Sequence, residues 1–134
     1  MRAPPSTAEL LLIIAEPTRL RILNCLAAAP LFVSDLQAVL ELPQPTVSRH
    51  LQVLRRAGLV RDTPVAQFVL YRLRADSGPA GRLLAAVLEA AAAEDAMRQE
   101  RTRATERSRS HTRTRVQPAA ARPRSLARLE RPAP

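Results

Sequence analysis

The fold is decided by residues 43–59, which read PQPTVSRHLQVLRRAGL. Val47, Leu51 and Leu54 are spaced four and three residues apart, and this period predicts a helix with one apolar stripe. Gly58 follows the stripe, and glycine is expected just past a helix end because it accepts a positive φ. The opposite face of this helix carries short polar and basic side chains rather than acidic ones. The sequence therefore predicts a helix that is buried on one side and polar on the other.

The residues at the start of the chain predict two helices separated by a proline. Ser6 and Glu9 have the spacing of a capping box, so a first helix is expected to run to about Ala15. Pro17 ends this helix, because the residue before a proline is pushed out of the helical region, whereas proline itself suits the first position of a helix. A second helix is therefore expected over about 17–28.

A third, short helix is expected just before the stretch quoted above. Ser34 and Gln37 form a second capping box, which predicts a helix from Ser34 through about Leu40. Two prolines then mark a brief turn, and the fourth helix is expected to begin near Gln44.

The residues after Gly58 predict a hairpin followed by a long helix. The apolar period changes to two, which indicates strands at 59–63 and 68–73 joined by a turn. Gly-Pro at 78–79 closes this unit, and an alanine-rich helix is expected over about 80–100.

The order of these elements predicts a DNA-binding fold. Two short helices joined by a tight turn, the second with an apolar inner stripe and a basic outer face, fit a helix-turn-helix whose second helix enters a major groove. A hairpin with Arg61 and Arg72 at its base adds a wing that lies along the flanking backbone. The predicted fold class is mainly α with a small β-hairpin, a winged helix-turn-helix.

The formal net charge of +9 is concentrated at the end of the chain. Residues 1–100 hold 11 arginines and 10 acidic residues, whereas residues 101–134 hold 10 arginines and two acidic residues. The last segment has few large apolar side chains, so an arginine- and proline-rich disordered tail is expected over 101–134, after a folded domain over 1–100. Two interpretations of the tail stay open: a non-specific phosphate-binding arm or a solvated extension. Inside the folded part, the excess of arginine at 49–74 is the charge feature that bears on a nucleic-acid partner.

The composition disfavours several classes of protein. One cysteine cannot build a disulfide framework, and three aromatic residues are too few for a base-stacking platform. No apolar run approaches the ~20 residues of a membrane span, and none is long enough for a signal peptide, so the cytoplasm is expected. An enzyme is not expected, because the sequence lacks paired carboxylates with a nucleophile, a phosphate-cradling glycine loop and a ligand cluster.

Three motifs carry a resemblance to a known family. They are EPTRLRIL at 16–23, PQPTVSRHL at 43–51 and LRRAGLV at 54–60. In this order and spacing they resemble the ArsR/SmtB family of winged-helix bacterial transcriptional repressors, over about residues 6–95.

The resemblance also implies how the protein acts. It implies a homodimer built on the first and last helices, whose apolar faces at 8–15 and 80–93 lack an obvious partner within one chain. It further implies repression of a DNA operator, relieved when an effector binds. Two-fold symmetry places two reading helices roughly 34–36 Å apart, so the operator is expected to be an inverted repeat.

The fourth helix supplies the candidate reading residues. Gln44 can pair with adenine and Arg49 with guanine, while the short side chains of Thr46 and Ser48 allow close approach to the bases. Arg55, Arg56, Arg61 and Arg72 are expected to hold phosphates, the alternative being a solvated basic face. His50 stays open between a DNA contact and a structural residue. The predicted DNA-binding residues are Gln44, Thr46, Ser48, Arg49, His50, Gln52, Arg55, Arg56, Arg61 and Arg72.

No cofactor or metal site is predicted. Members of the resembled family that respond to arsenic or cadmium carry Cys-x-Cys at the start of the third helix, where this chain has Phe32-Val33-Ser34. Members that bind zinc use Asp, His and Glu on the last helix, but residues 79–100 contain no histidine. Cys25 has two interpretations: a buried apolar residue, which is favoured, or a redox or metalloid contact shared between protomers. The sequence does not identify the effector, be it a small molecule or a metalloid.

Two functions from different classes fit the fold. The first is a sequence-specific, homodimeric DNA-binding repressor. The second is a winged-helix module for protein interaction or dimerisation without specific DNA readout. The polar and basic outer face of the fourth helix favours the first, because a protein-docking face should show exposed apolar anchors.

Overall fold

The structure is a computed structural model that describes residues 3–74 and 76–111. Six helices and three strands lie in these ranges. They are α1 (Thr7–Ala15), α2 (Pro17–Ala28), β1 (Leu31–Phe32), α3 (Val33–Leu40), α4 (Gln44–Arg56), β2 (Val60–Val65), β3 (Phe68–Leu73), α5 (Pro79–Ala91) and α6 (Asp95–His111). None of these helices is both long enough and apolar enough to cross a membrane. The predicted winged helix-turn-helix is confirmed, with α3 and α4 as its helical pair and β2–β3 as its wing.

The junction between α1 and α2 follows the predicted capping. The hydroxyl oxygen of Ser6 accepts from the backbone N–H of Glu9 at 3.2 Å, and the carboxylate of Glu9 accepts from the backbone N–H of Ser6 at 3.3 Å. Pro17 occupies the first turn of α2. The carboxylate of Glu16 caps that helix by accepting from the backbone N–H of Arg19 at 2.8 Å. These bonds satisfy amides that a helix start leaves without intrahelical partners.

The start of α3 differs from the prediction. The expected capping box of Ser34 with Gln37 is wrong, because the helix begins one residue earlier, at Val33. The carboxylate of Asp35 instead accepts from the backbone N–H of Phe32 at 2.8 Å. A carboxylate is the stronger acceptor for a free amide at a helix start, and Phe32 is held extended by pairing in β1.

The sheet has the strand order β1-β3-β2, with both pairings antiparallel. The predicted hairpin is confirmed, although β2 runs on to Val65 and the turn contains Ala66 at a φ of 55°. Arg61 lies directly opposite Arg72 in the β2–β3 register. Strand β1 was not predicted, because two residues are too few to show a period.

Helix α4 packs as its apolar stripe predicts. Val47, Leu51 and Leu54 are each 0% exposed. At its end, Gly58 has a φ of 77°, and the N–H of Leu59 donates to the carbonyl of Leu54 at 3.0 Å. This is the hydrogen bond of a glycine-terminated helix end, and it sends the chain straight into the wing.

The last part of the fold differs most from the prediction. The single helix expected over 80–100 is wrong: α5 ends at Ala91, and α6 begins at Asp95. Helix α6 then continues to His111, so the disorder expected for 101–111 is wrong as well. Helix α6 packs on α2 and α3 through polar side chains, which composition does not distinguish from solvated ones. The division of the chain into a folded domain and a tail stays a prediction, with residue 100 inside α6 and residues 112–134 outside the described part.

Candidate nucleic-acid interface

The outward face of α4 is polar and carries no acidic side chain. Most of the predicted reading and phosphate-binding residues of this helix are exposed, and Thr46 and Ser48 are half-buried beside them. The exposed residues are Gln44, Arg49, Gln52, Arg55 and Arg56. The structure therefore brings these predicted residues together on one surface.

Two hydrogen bonds organise the polar side chains of this face. The amide nitrogen Nε2 of Gln44 donates to the hydroxyl oxygen of Ser48 at 2.7 Å, one turn along the helix. This bond uses one of the two amide hydrogens and leaves the other hydrogen and the carbonyl oxygen for a partner. Farther along, Arg56 donates to the side-chain oxygen of Gln52 at 3.4 Å.

The arginines of the wing base and of α4 lack anionic partners. Among the residues that the structure describes, Arg49, Arg55, Arg61 and Arg72 form no hydrogen bond or ion pair through their guanidinium groups. Arg61 and Arg72 also face each other across the wing. Like charges directly opposite in a sheet are destabilising.

Charged groups of α4 and of the wing both influence the pKa of Tyr71. Burial raises the pKa of the Tyr71 hydroxyl, the carboxylate of Asp62 raises it further, and the nearby guanidinium of Arg55 opposes both effects. Asp62 lies directly opposite Tyr71 in the hairpin. The charges of Arg55 on α4 and of Asp62 on the wing therefore act on the same hydroxyl.

His50 does not join this outward set. Its side chain is 14% exposed and points to the start of α2. Its ring nitrogen Nδ1 lies 3.5 Å from a guanidinium nitrogen of Arg19 and 3.8 Å from a carboxylate oxygen of Glu16. This placement favours the structural interpretation of His50.

Cys25 is fully buried in α2. Burial, followed by the charge of Glu100, raises the pKa of its thiol to about 12. At neutral pH the group is therefore an uncharged thiol, which is a poor nucleophile and metal ligand.

At the start of α3, the ring of Phe32 packs edge-on against the ring of Phe68, with centroids 5.9 Å apart. Within the described ranges, no group of three or more His, Cys, Asp or Glu residues could hold a metal ion.

Helix α1 carries the most exposed large apolar side chains that the structure describes. Leu12 is 74% exposed and Leu11 is 46% exposed, whereas Leu10 and Ile14 on the other side of the helix are buried. A groove of about 330 Å³ between α1 and α5 is lined by Leu10 and Leu83. The apolar face predicted for the first helix is therefore divided between the core and the surface.

The polar residues that hold α6 against α2 and α3 were not predicted from the sequence. Three of them, Asn24, Asp35 and Glu100, are buried. The only signal in the sequence is that Asn24 lies inside a strongly apolar helix, where a polar residue needs a hydrogen-bond partner.

Comparisons with known proteins match the winged helix. A family model described as "bacterial regulatory protein, arsR family" matches residues 16–62, from α2 into β2. A biofilm growth-associated repressor of Agrobacterium fabrum is 41% identical over 80 residues, covering 60% of this chain and 67% of that protein. An HTH-type transcriptional repressor, SmtB, of Mycobacterium tuberculosis is 41% identical over 101 residues, covering 71% of this chain and 73% of that protein. The crystal structure of the transcriptional repressor BigR from Xylella fastidiosa superposes with a TM-score of 0.58 at 30% identity, covering 66% of this chain and 85% of that one.

Proposed function

This chain belongs to the arsR family of bacterial regulatory proteins and is a DNA-binding transcriptional repressor; we propose that it binds an inverted-repeat operator as a homodimer. The observation that supports this proposal is the chemistry of the outward face of α4. That face offers amide, hydroxyl and guanidinium groups above a fully buried apolar stripe. Such a helix fits the major groove, where each base pair presents its own pattern of donors and acceptors.

The bases are read by the first half of α4. Gln44, held by its bond to Ser48, keeps one amide hydrogen and its carbonyl oxygen for the N7 and N6 groups of an adenine. Arg49 is exposed and has both donor edges free for the O6 and N7 atoms of a guanine. Thr46 keeps the helix close to the bases because its side chain is short.

The phosphates are held by the end of α4 and the base of the wing. Arg55, Arg56, Arg61 and Arg72 are exposed, and they fix the register of the protein on the duplex without reading its sequence. The opposed pair of Arg61 and Arg72 supports this role, because bound phosphate removes the repulsion between the two guanidinium groups.

The second copy of the chain covers α1 and α5. Leu12 and Leu11 on α1 are exposed, and a groove lined by Leu10 and Leu83 runs between α1 and α5. Apolar surface of this kind is buried in homodimers. The two α4 helices then lie on the same side of the dimer and meet successive major grooves of the operator.

Leu12→Glu is expected to separate the dimer, because a carboxylate would be buried in an apolar contact. Analytical ultracentrifugation measures the result, with Val69→Glu on the exposed face of the wing as a control that adds the same charge. Dimers of the Val69→Glu protein and monomers of the Leu12→Glu protein support the proposal. Dimers of both would place the interface elsewhere.

Release by a thiolate-bound metalloid is not part of the proposal. The chain has one thiol, and that thiol is buried and protonated, whereas soft metalloids require thiolate ligands. Arsenite, zinc, cadmium and peroxide are therefore expected to leave the protein on its operator.

The alternative of a protein-interaction module is not favoured. Among the described residues, the exposed large apolar side chains lie on α1 and the wing, and α4 carries none of them. The matched relatives are transcriptional repressors rather than enzymes.

A gel shift with the DNA upstream of the protein's own gene tests the proposed function. The wild-type protein is expected to retard this duplex at concentrations that leave a shuffled duplex of equal length unbound, and to do so with each of the four additives present. Equal retardation of both duplexes would overturn specific readout, and loss of the shift with arsenite would overturn the expectation that the buried thiol does not bind a metalloid.

A further inference from the structure

The buried polar side chains that the structure describes lie at one helix interface. In the ranges that the structure describes, Asn24, Asp35 and Glu100 are the buried polar or charged residues, and all three lie between α6 and the pair α2–α3. The amide nitrogen of Asn24 donates to the carbonyl of Met97 at 2.9 Å, and its oxygen accepts from Nε of Arg101 at 2.6 Å. Both polar atoms of Asn24 are therefore paired with α6.

The contacts of α6 reach both ends of α3. At the start of α3, Nε of Arg107 lies 3.1 Å from the Asp35 carboxylate, which also caps that helix. At its end, Glu100 accepts from Nε of Arg21 at 3.0 and 3.2 Å, and Arg21 donates to the carbonyl of Leu40 at 3.4 Å. Leu40 is the last residue of α3, where carbonyls lack intrahelical partners.

Apolar burial contributes little to the docking of α6. Its sequence, DAMRQERTRATERSRSH, contains Ala96, Met97 and Ala104 as its apolar residues. Of these, Ala104 alone is fully buried. A helix with few buried apolar contacts opens at a lower free energy than the core does, so α6 can be released while the winged helix stays folded.

We propose that α6 is a strap that positions the helix-turn-helix for DNA, with Arg107 and Glu100 as positioning residues that hold the two ends of α3. The inference rests on the proposed DNA readout by α4. A turn of three residues joins α3 to α4, with Glu41 at a φ of 55°. Because this connection is short, the placement of α3 sets the placement of α4, and release of α6 lowers the affinity for operator DNA.

Arg107→Gln in the full-length chain tests the strap. Its matched control is Arg109→Gln, which removes the same charge from an exposed position of the same helix. In hydrogen exchange without DNA, the Arg107→Gln protein is expected to lose amide protection over 97–110, while the Arg109→Gln protein keeps it. Operator affinity of the Arg107→Gln protein should fall by roughly 5- to 150-fold, the usual range of coupling between sites. Affinity for a shuffled duplex should change equally in both variants.

Rescue separates positioning from a general loss of structure. Arg107→Lys keeps the charge next to Asp35 and is expected to recover most of the operator affinity. Glu100→Gln, which weakens the anchor at the other end of α3, should lower operator affinity in the same direction, and it serves as the test if the Arg107→Gln protein does not fold.

Three results would overturn the proposal that α6 is a strap. Equal loss of operator affinity in the Arg107→Gln and Arg109→Gln proteins would make α6 a source of positive charge only. Loss of α6 protection with unchanged operator affinity would uncouple α6 from α4. Unchanged amide protection of α6 in the Arg107→Gln and Glu100→Gln proteins would show that Arg107 and Glu100 do not hold α6 in place. If the wild-type protein did not distinguish operator from shuffled DNA, the proposed function would fail, whereas the exchange measurement would still report on the anchors.

Discussion

Helices α4 and α6 both carry several arginines, but these arginines have different partners. On α4, Arg49 and Arg55 form no hydrogen bond or ion pair with any residue in the described ranges. On α6, Arg101 bonds to Asn24 and Arg107 pairs with Asp35. Helix α4 is fastened by leucines and offers its arginines to solvent, whereas α6 is fastened by its arginines.

This difference shows that the number of arginines does not identify a DNA-binding face. Residues 101–134 hold 10 of the 21 arginines of the chain, yet the first of them are committed to partners inside the protein. The arginines without counter-charges on α4 and the wing are those that we propose to contact phosphates and bases.

The largest expected effect concerns the way α4 is fastened. Leu51→Ala removes a fully buried side chain and should lower the free energy of unfolding by about 2–5 kcal/mol, since it leaves a cavity in the core. Met97→Ala, at the half-buried apolar contact of α6, should cost less. Urea unfolding followed by circular dichroism measures both, and an equal cost would break the contrast between the two helices.

The sequence predicts the parts of the fold that local patterns control. The stripe of Val47, Leu51 and Leu54 predicts α4, and Gly58 predicts its end, because both signals act within a few residues. The capping box at Ser6 and the proline at 17 predict the α1–α2 junction for the same reason. The predicted DNA-binding residues of α4, apart from His50, lie on one surface because a single helix carries them.

The rest could not be predicted, because its partners are distant in the sequence. Arg21 and Glu100 are 79 positions apart, and neither residue alone signals an ion pair. Helix α6 lacks an apolar stripe, so its sequence is indistinguishable by composition from a solvated tail. His50 lies on α4 beside Arg49, and only the packing of α4 on α2 turns its ring inward.

The next effect concerns an arginine of α4 that has no partner. Arg49→Ala should weaken operator binding by about 1–3 kcal/mol and relax the preference at one base position of each half-site, since a bidentate contact to guanine is lost. Binding to a library of half-site variants measures both. The control is Arg98→Ala on α6, where Asp95 already pairs with the arginine. Unchanged binding by the Arg49→Ala protein would show that α4 does not read DNA in this way.

A pH-dependent effect concerns Cys25, which lies in α2 and whose thiol is influenced by the charge of Glu100 on α6. The folded protein holds the pKa of this thiol at about 12, above its value in the unfolded chain, so the folded state keeps the proton that the unfolded state loses. The stabilisation is complete below the unfolded pKa and is lost as pH rises from about 9 to about 12, by at most about 1.4 kcal/mol per pH unit.

Unfolding of the wild-type and Cys25→Ala proteins between pH 7 and pH 11 measures this effect of Cys25. The stability difference between the two proteins should shrink above pH 9. A difference that stays constant with pH would place the thiol in a solvated site. Thiol labelling at pH 8 should also be slow in the folded protein and fast in denaturant.

The smallest expected effect concerns the wing. Arg61→Ala should weaken binding to all duplexes alike by about 1 kcal/mol or less, as an exposed ion pair does, and should reduce the slope of log affinity against log salt concentration by about 1. The free protein should become slightly more stable, because the charge opposite Arg72 is gone. Fluorescence anisotropy at several salt concentrations measures the slope. A change in base preference would assign Arg61 to direct readout instead.

The most direct test of the contrast between the two helices is the NMR spectrum of the arginine Nε–Hε groups during titration with operator duplex. The signals of Arg49, Arg55 and Arg56 on α4 are expected to shift as DNA is added, while those of Arg101 and Arg107 on α6 stay in place because their partners do not change. Shifts confined to the arginines of α6, with those of α4 unmoved, would contradict the account.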